Sequence, residues 1–161
     1  MNDLVDLVLK DSFTHSQALK RLGLLKDFLN GKVFGKEESD LSAYSPSDRR
    51  WLDTLDKNNL AQFNQENIHT LFEQAEKVIK EITPLSVILP FELPERETIE
   101  LGARLRRDYG PHFLFEVKLD PKLIAGPAFI WKGVYKDHSV KTKIEAQKQQ
   151  ILQIFKQMTA R

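Results

Sequence analysis

The sequence predicts an α+β protein: an N-terminal helical region over residues 1–82, then a small α/β domain over residues 83–161 with a mixed sheet and two packed helices. Three observations carry this expectation. Apolar residues recur with the 3.6-residue period of an amphipathic helix through the first half of the chain. At Thr83-Pro84 that period gives way to short runs rich in β-branched and alternating apolar residues. From Val140 the helical period returns.

In the first half, Ala18, Leu22, Leu25 and Leu29, flanked by Leu19 and Phe28, place one apolar face on a helix that begins near Ser16 and is expected to stop at Asn30-Gly31. Residues 31–44 combine two glycines with charges and small polar residues and read as a loop. Ser45-Pro46-Ser47-Asp48 then offers an N-cap serine, a proline at the first helical position and an acid at the third, leading into Trp51, Leu52 and Leu55. A break is expected at Asn58-Asn59. From Gln65 to Ile82, the residues Ile68, Leu71, Phe72, Ala75, Val78, Ile79 and Ile82 form an unbroken stripe. Such a stripe is core in a small bundle or a groove for a partner helix, and Ile68 and Phe72 stand as candidate partner contacts on the second reading.

In the second half, Leu85 to Pro90 reads as a short strand. Leu93-Pro94 opens a helix to Tyr109 with Thr98, Leu101, Gly102, Leu105 and Tyr109 on one side, so that Arg104, Arg106 and Arg107 are expected mostly to face water. Residues 112–119 alternate Phe113, Phe115, Val117 and Leu119 with mixed side chains, as a half-buried strand does. Pro127 to Trp131 and Val134 to Lys136 form two more strands joined through Lys132-Gly133. In the last helix Val140, Ile144, Ile151, Ile154, Phe155 and Met158 fall in one arc, expected to face inward.

Composition narrows the function. With 24 Lys and Arg against 23 Asp and Glu the net charge is +1, so the broad positive field of a nucleic-acid binder is missing. No cysteine is present, which excludes a disulfide framework, a thiolate zinc site and a Cys nucleophile and fits a reducing compartment. The four histidines lie far apart without metal-ligand spacing, and no phosphate-binding glycine loop or dinucleotide fingerprint occurs. Glu95, Glu97 and Glu100 sit early in a helix, where acids meet its dipole, and are discounted as catalytic. The opening MNDLVDLVLKDSF is too short and interrupted for a signal peptide or a membrane span, so membrane association is expected only through a partner. No catalytic residue, cofactor, metal or small-molecule ligand is expected.

The segment VKLDPKLIAGPAFIWKGVYKDHSVKTKI, Val117 to Ile144, resembles the C-terminal signature of the ATP synthase delta subunit family, which includes the oligomycin-sensitivity-conferring protein. Asp120, Pro121, Leu123, Ile124 and Gly126 match its first part, and Asp137, Ser139 and Lys141 its second. Lys122 replaces the usual serine, Ala125 the first glycine of a pair, and His138 a frequent glycine; if that last position needs a positive φ, His reaches it only with strain. The strand, helix and strand from Leu85 to Leu119 sit where the family places them, and the short front half diverges. The resemblance implies a noncatalytic subunit at the cytoplasmic face of the membrane. Its helical region would bind the α subunits of the catalytic head, and its C-terminal domain the b subunits of the membrane sector.

Read as residues, Asp120-Pro121 is a turn in which Asp accepts from backbone amides, Leu123 and Ile124 are core plugs, and Gly126 allows a close approach or an unusual torsion. Asp137 and Ser139 are turn and N-cap residues, and Lys141 is solvated. The last helix also carries Lys141, Lys143, Lys148, Lys156 and Arg161 against Glu145, with Leu152 off the apolar arc. Lys148, Leu152 and Lys156 are therefore candidate contacts for an acidic partner helix. The alternative from another class is a soluble adaptor or weak RNA-binding module, for which Trp131 and Tyr135 among Lys132, Lys136 and Lys141 make the best case.

Overall fold

The computed structural model describes residues 3–33, 44–55, 63–64 and 66–159. Helices α1 (Asp3–Asp11), α2 (His15–Val33), α3 (Pro46–Asp53) and α4 (Ile68–Glu81) come first. Strand β1 (Leu85–Leu89), helix α5 (Glu95–Tyr109), strands β2 (Phe115–Leu119), β3 (Ala128–Trp131) and β4 (Val134–Asp137), and helix α6 (Val140–Thr159) follow. The α+β order and the mixed sheet are as the sequence predicts.

The helical part buries the stripes that periodicity picks out. Ala18, Leu22, Leu25 and Leu29 of α2 meet Ile68, Phe72, Ala75 and Ile79 of α4. Into the same cluster α1 contributes Leu4, Val5, Val8 and Leu9, a helix to which the sequence reading assigned no element. Ile68 and Phe72 are 0% and 1% exposed, so they do not offer a surface to a partner, because α1 and α2 cover the face they share. Helix α2 runs past Asn30-Gly31 to Val33, with Gly31 buried inside the helix instead of capping it. The loop expected at 31–44 falls mostly, and the break at Asn58-Asn59 and the start at Gln65 fall entirely, outside the described residues.

At α3, Ser45 accepts from the Asp48 amide, and Ser45 Oγ and Lys20 Nζ donate to the Asp48 carboxylate at 2.6 and 2.8 Å. Burial acts to raise the Asp48 carboxyl, yet these hydrogen bonds and the charges of Lys20 and Arg21 outweigh it and leave it below its ordinary value.

The sheet has the order β2-β1-β3-β4. Strands β1 and β2 are parallel, which requires a crossover, and α5 supplies it. Strands β3 and β4 form a hairpin whose two loop residues, Lys132 and Gly133, both have positive φ (49° and 80°), the torsions that match the twist of the strands. On one face, Val87, Leu89, Phe115 and Val117 pack under Leu101 and Leu105 of α5.

The corner between α1 and α2 joins the two clusters. Phe115 N donates to Phe13 O, and Thr14 bridges Phe115 in parallel, so the corner lies along the outer edge of β2. Arg106, expected in water, reaches across from α5: it donates to the carbonyls of Lys10 and Ser12, and its guanidinium lies 4.6 Å from the Phe13 ring centre. Ser16 donates to Glu116 through both its amide and its hydroxyl, and His112 Nε2 lies 2.8 Å from Asp6 Oδ1. Gly102 makes room for all this, since a Cβ there would stand 2.4 to 2.6 Å from Phe13.

Gly102→Ala gains up to about 1 kcal/mol of helix propensity, but it must unseat Phe13, an overpacking cost of about 1–3 kcal/mol; urea denaturation should show net destabilisation. Gly23→Ala, also within a helix but with nothing within 4 Å of the added Cβ, should instead stabilise by about 0.5–1 kcal/mol. For Asp48, whose folded value is depressed, the contribution is present above its unfolded value, near 3.9, and is lost as pH falls through the folded value. Asp48→Asn should cost about 1–2 kcal/mol at pH 7 and the gap to the parent should close below pH ~4, read from denaturation midpoints.

Candidate functional site: the terminal helix and its anchoring loop

The signature residues converge on one end of the sheet, where β2, β3 and β4 meet the start of α6. Asp120 Oδ1 accepts from the Lys122 amide at 3.0 Å, the Asp120 carbonyl from Leu123, and the Asp120 amide donates to Leu89 O at 2.8 Å. Pro121 and Lys122 occupy the turn so formed. Leu123 is half-buried, whereas Ile124, expected as a second plug, is 58% exposed and takes part through its carbonyl instead. The first amide of α6, from Val140, donates to the carbonyls of Ile124 and Ala125 at 3.1 and 2.7 Å. The loop thus satisfies a helix-terminal donor that would otherwise need a side chain or water.

Gly126 sits at φ +92°, and a Cβ on it would lie 2.8 Å from the His138 carbonyl oxygen and 3.1 Å from the Ser139 Cα. Both the torsion and the approach require glycine. Asp137 Oδ1 accepts from the Ser139 amide at 2.7 Å, and hydrogen bonds from Ser139 and Thr142 hold its carboxyl below the ordinary range. Ser139 is fully buried, and Lys141 is exposed. Of the replaced family positions, His138 does not carry a positive φ: its amide donates to Pro127 O and its ring meets Phe129 edge-on at 5.7 Å. The left-handed torsion falls on Ala125, at φ 48°.

Beyond this root the last helix departs from expectation. The arc expected to face inward is exposed: Ile144 51%, Ile154 56%, Phe155 61% and Met158 71%. Leu152, at 50%, and the lysines Lys148 and Lys156 are exposed as well. The reason lies in the anchoring. Helix α5 already covers β1 and β2, while α6 is tied to the sheet by its first turn at the loop. The side chain of Ile151 lies outside the described residues.

The basic-aromatic surface divides. Trp131 pairs across the hairpin with Val134, and Tyr135 with Ile130, which sets the two rings on opposite faces of the sheet. They do not form one stacking platform. Among the described residues no group of His, Asp and Glu is placed to hold a metal ion, and no helix is long and apolar enough to cross a membrane.

What the sequence reading missed here is the role of the α1–α2 corner. Its one legible signal was Gly102 on the buried side of α5, since a glycine inside a helical pattern marks a close approach.

The second half thus presents a loop-anchored helix with an exposed apolar and basic surface, set on a sheet fastened to a helical bundle. The profile of the ATP synthase delta (OSCP) subunit family matches residues 47–151. The chain belongs to that family, the stalk subunits of ATP synthase. The match begins inside the helical half, at α3, and so reaches further forward than the signature residues alone. No curated protein sequence matches the chain.

Ala125→Gly should therefore stabilise the protein. Removing a left-handed alanine relieves about 1 kcal/mol or more, partly offset by the added freedom of the unfolded chain, about 0.4–1 kcal/mol. A thermal melt should rise slightly for Ala125→Gly and fall clearly for Gly126→Ala, where torsion and backbone contact both oppose a side chain.

Proposed function

We propose that the chain is a noncatalytic peripheral-stalk subunit of a rotary, proton-translocating ATP synthase, linking the catalytic head to the b subunits and resisting torque. The observation that carries this reading is the family match over residues 47–151. The exposed surface of α6 supports it: apolar residues with lysines beside them suit a partner helix that is apolar on one face and acidic at its margins. In this reading residues 1–82 and 83–161 are the two functional regions. The helical region docks on the α subunits, and α6, through Lys148, Leu152 and Lys156, meets the b subunits. Membrane attachment at the cytoplasmic face is indirect, through the complex. No nucleotide, nucleic acid or cofactor is needed for this task.

The fastening between the regions fits a mechanical role. A stalk transmits force only if its parts do not hinge freely, and the corner strand bridge, Arg106 and the Ser16–Glu116 bonds span the two regions over a broad front.

The test is capture of solubilised b subunits by the tagged chain. The double variant Lys148→Glu, Lys156→Glu should weaken capture about tenfold or more at low salt, with the difference shrinking as ionic strength rises. Unchanged capture with unchanged salt dependence would remove the electrostatic part of the reading.

A further inference from the structure

Beside the fastening between the two regions lies an open cleft of about 560 Å³, walled by α1 on one side and α5 on the other. Its size is that of an ordinary small-molecule site, ~300–1,000 Å³. Its charge is one-sided: Lys10, Arg106 and Arg107 face a lone carboxylate, Asp6, whose Oδ1 already lies 2.8 Å from His112 Nε2. The whole chain, by contrast, is nearly neutral at +1. Arg106 spends its donors on the carbonyls of Lys10, Ser12 and Phe113, and no carboxylate bonds to it. Burial pushes its guanidinium below the ordinary value, and the charge of Asp11 opposes this. Lys10 and Arg107 are exposed. Among the described residues Lys10 Nζ has no partner, and Arg107 bonds through Nε alone, to Asp108 at 3.3 Å. Their remaining donors are open to a ligand.

We propose that this cleft binds a phosphate group, as inorganic pyrophosphate or as the phosphates of a small ester, held by Lys10 and Arg107 in the field of Arg106. The excess of positive charge suits a multivalent anion, because a phosphate monoester carries about −1.5 to −2 at pH 7 against the single charge of a carboxylate. A guanidinium with both Nη groups unspent presents two parallel donors to phosphate oxygens, and an ammonium adds a compact point charge. The cleft selects the phosphate and not a base. Its uncharged lining is Ala103 and Pro111, with no Phe, Tyr or Trp on which a base could stack. Lys10 belongs to α1 and Arg107 to α5, so an anion held by both adds a tie across the same corner that Arg106 spans, and its occupancy stiffens the coupling between the regions. The site is separate from the α6 surface and does not rest on the stalk reading.

The experiment is calorimetric titration of the purified full chain with pyrophosphate, at ionic strength held constant with sodium chloride, with thermal melts at the same concentrations. The expected result is saturable binding, a melting midpoint that climbs with pyrophosphate, and ADP bound no more tightly than pyrophosphate. Lys10→Gln with Arg107→Gln should weaken binding about tenfold or more and shrink the midpoint shift with it. Lys141→Gln with Lys143→Gln, which removes the same charge from α6, should leave both unchanged. All four side chains are exposed, so neither pair threatens the fold. Heats that sodium chloride reproduces overturn the site, as does an equal loss in both double variants. So does ADP binding without pyrophosphate binding, or a triglutamate peptide that binds as tightly as pyrophosphate. The stalk reading stands in each of these cases, because its test is capture of the b subunits.

Discussion

The contact on which the rest of the structure depends is the corner between α1 and α2, docked on the edge of β2. An edge strand presents unpaired amides and carbonyls, and here Phe13 and Thr14 take them up. Arg106 then satisfies carbonyls at the end of α1 and in the corner, groups that a helix terminus leaves without intrahelical partners. Phe13 fills the space that Gly102 leaves. These contacts all fall within the same short corner, so Phe13 packs on Gly102 beside its own strand bridge. The helical cluster and the sheet cluster therefore meet as packed surfaces, and the segment between α4 and β1 is not their sole tie.

The opposite end of the sheet follows a different physical rule. There the loop from Asp120 to Gly126 holds the first turn of α6 by backbone hydrogen bonds, and Gly126 is pressed against residues 138 and 139. The root is fixed, but the apolar residues farther along α6 are exposed to an extent unusual for a side of a helix that is greasy over several turns.

Much of the fold was legible because periodicity reports burial. The stripes of α2 and α4, the change of period at Thr83-Pro84 and the Lys132-Gly133 turn all have local causes. What was not legible depends on tertiary context. Periodicity shows that α6 has an apolar face but not whether this chain covers it, and it cannot tell Arg106, which bridges two regions, from Arg107 beside it, which is exposed. Ile68 and Phe72 illustrate the converse: one stripe admitted core and groove, and only the placement of α1 and α2 over it decides for core. Among the signature positions, sequence located the departures from the family pattern but assigned the strained torsion to His138, when the backbone places it at Ala125.

As a stalk subunit, the role proposed above, the chain would couple two parts of a rotary machine without taking part in its chemistry. The most direct measurement is ATP-driven proton uptake by inverted membrane vesicles stripped of the chain and then given it back. Stripped vesicles are expected to lose uptake while the released head still hydrolyses ATP, and adding the purified chain and head is expected to restore uptake. Uptake that survives removal of the chain, or returns with the head alone, would contradict it.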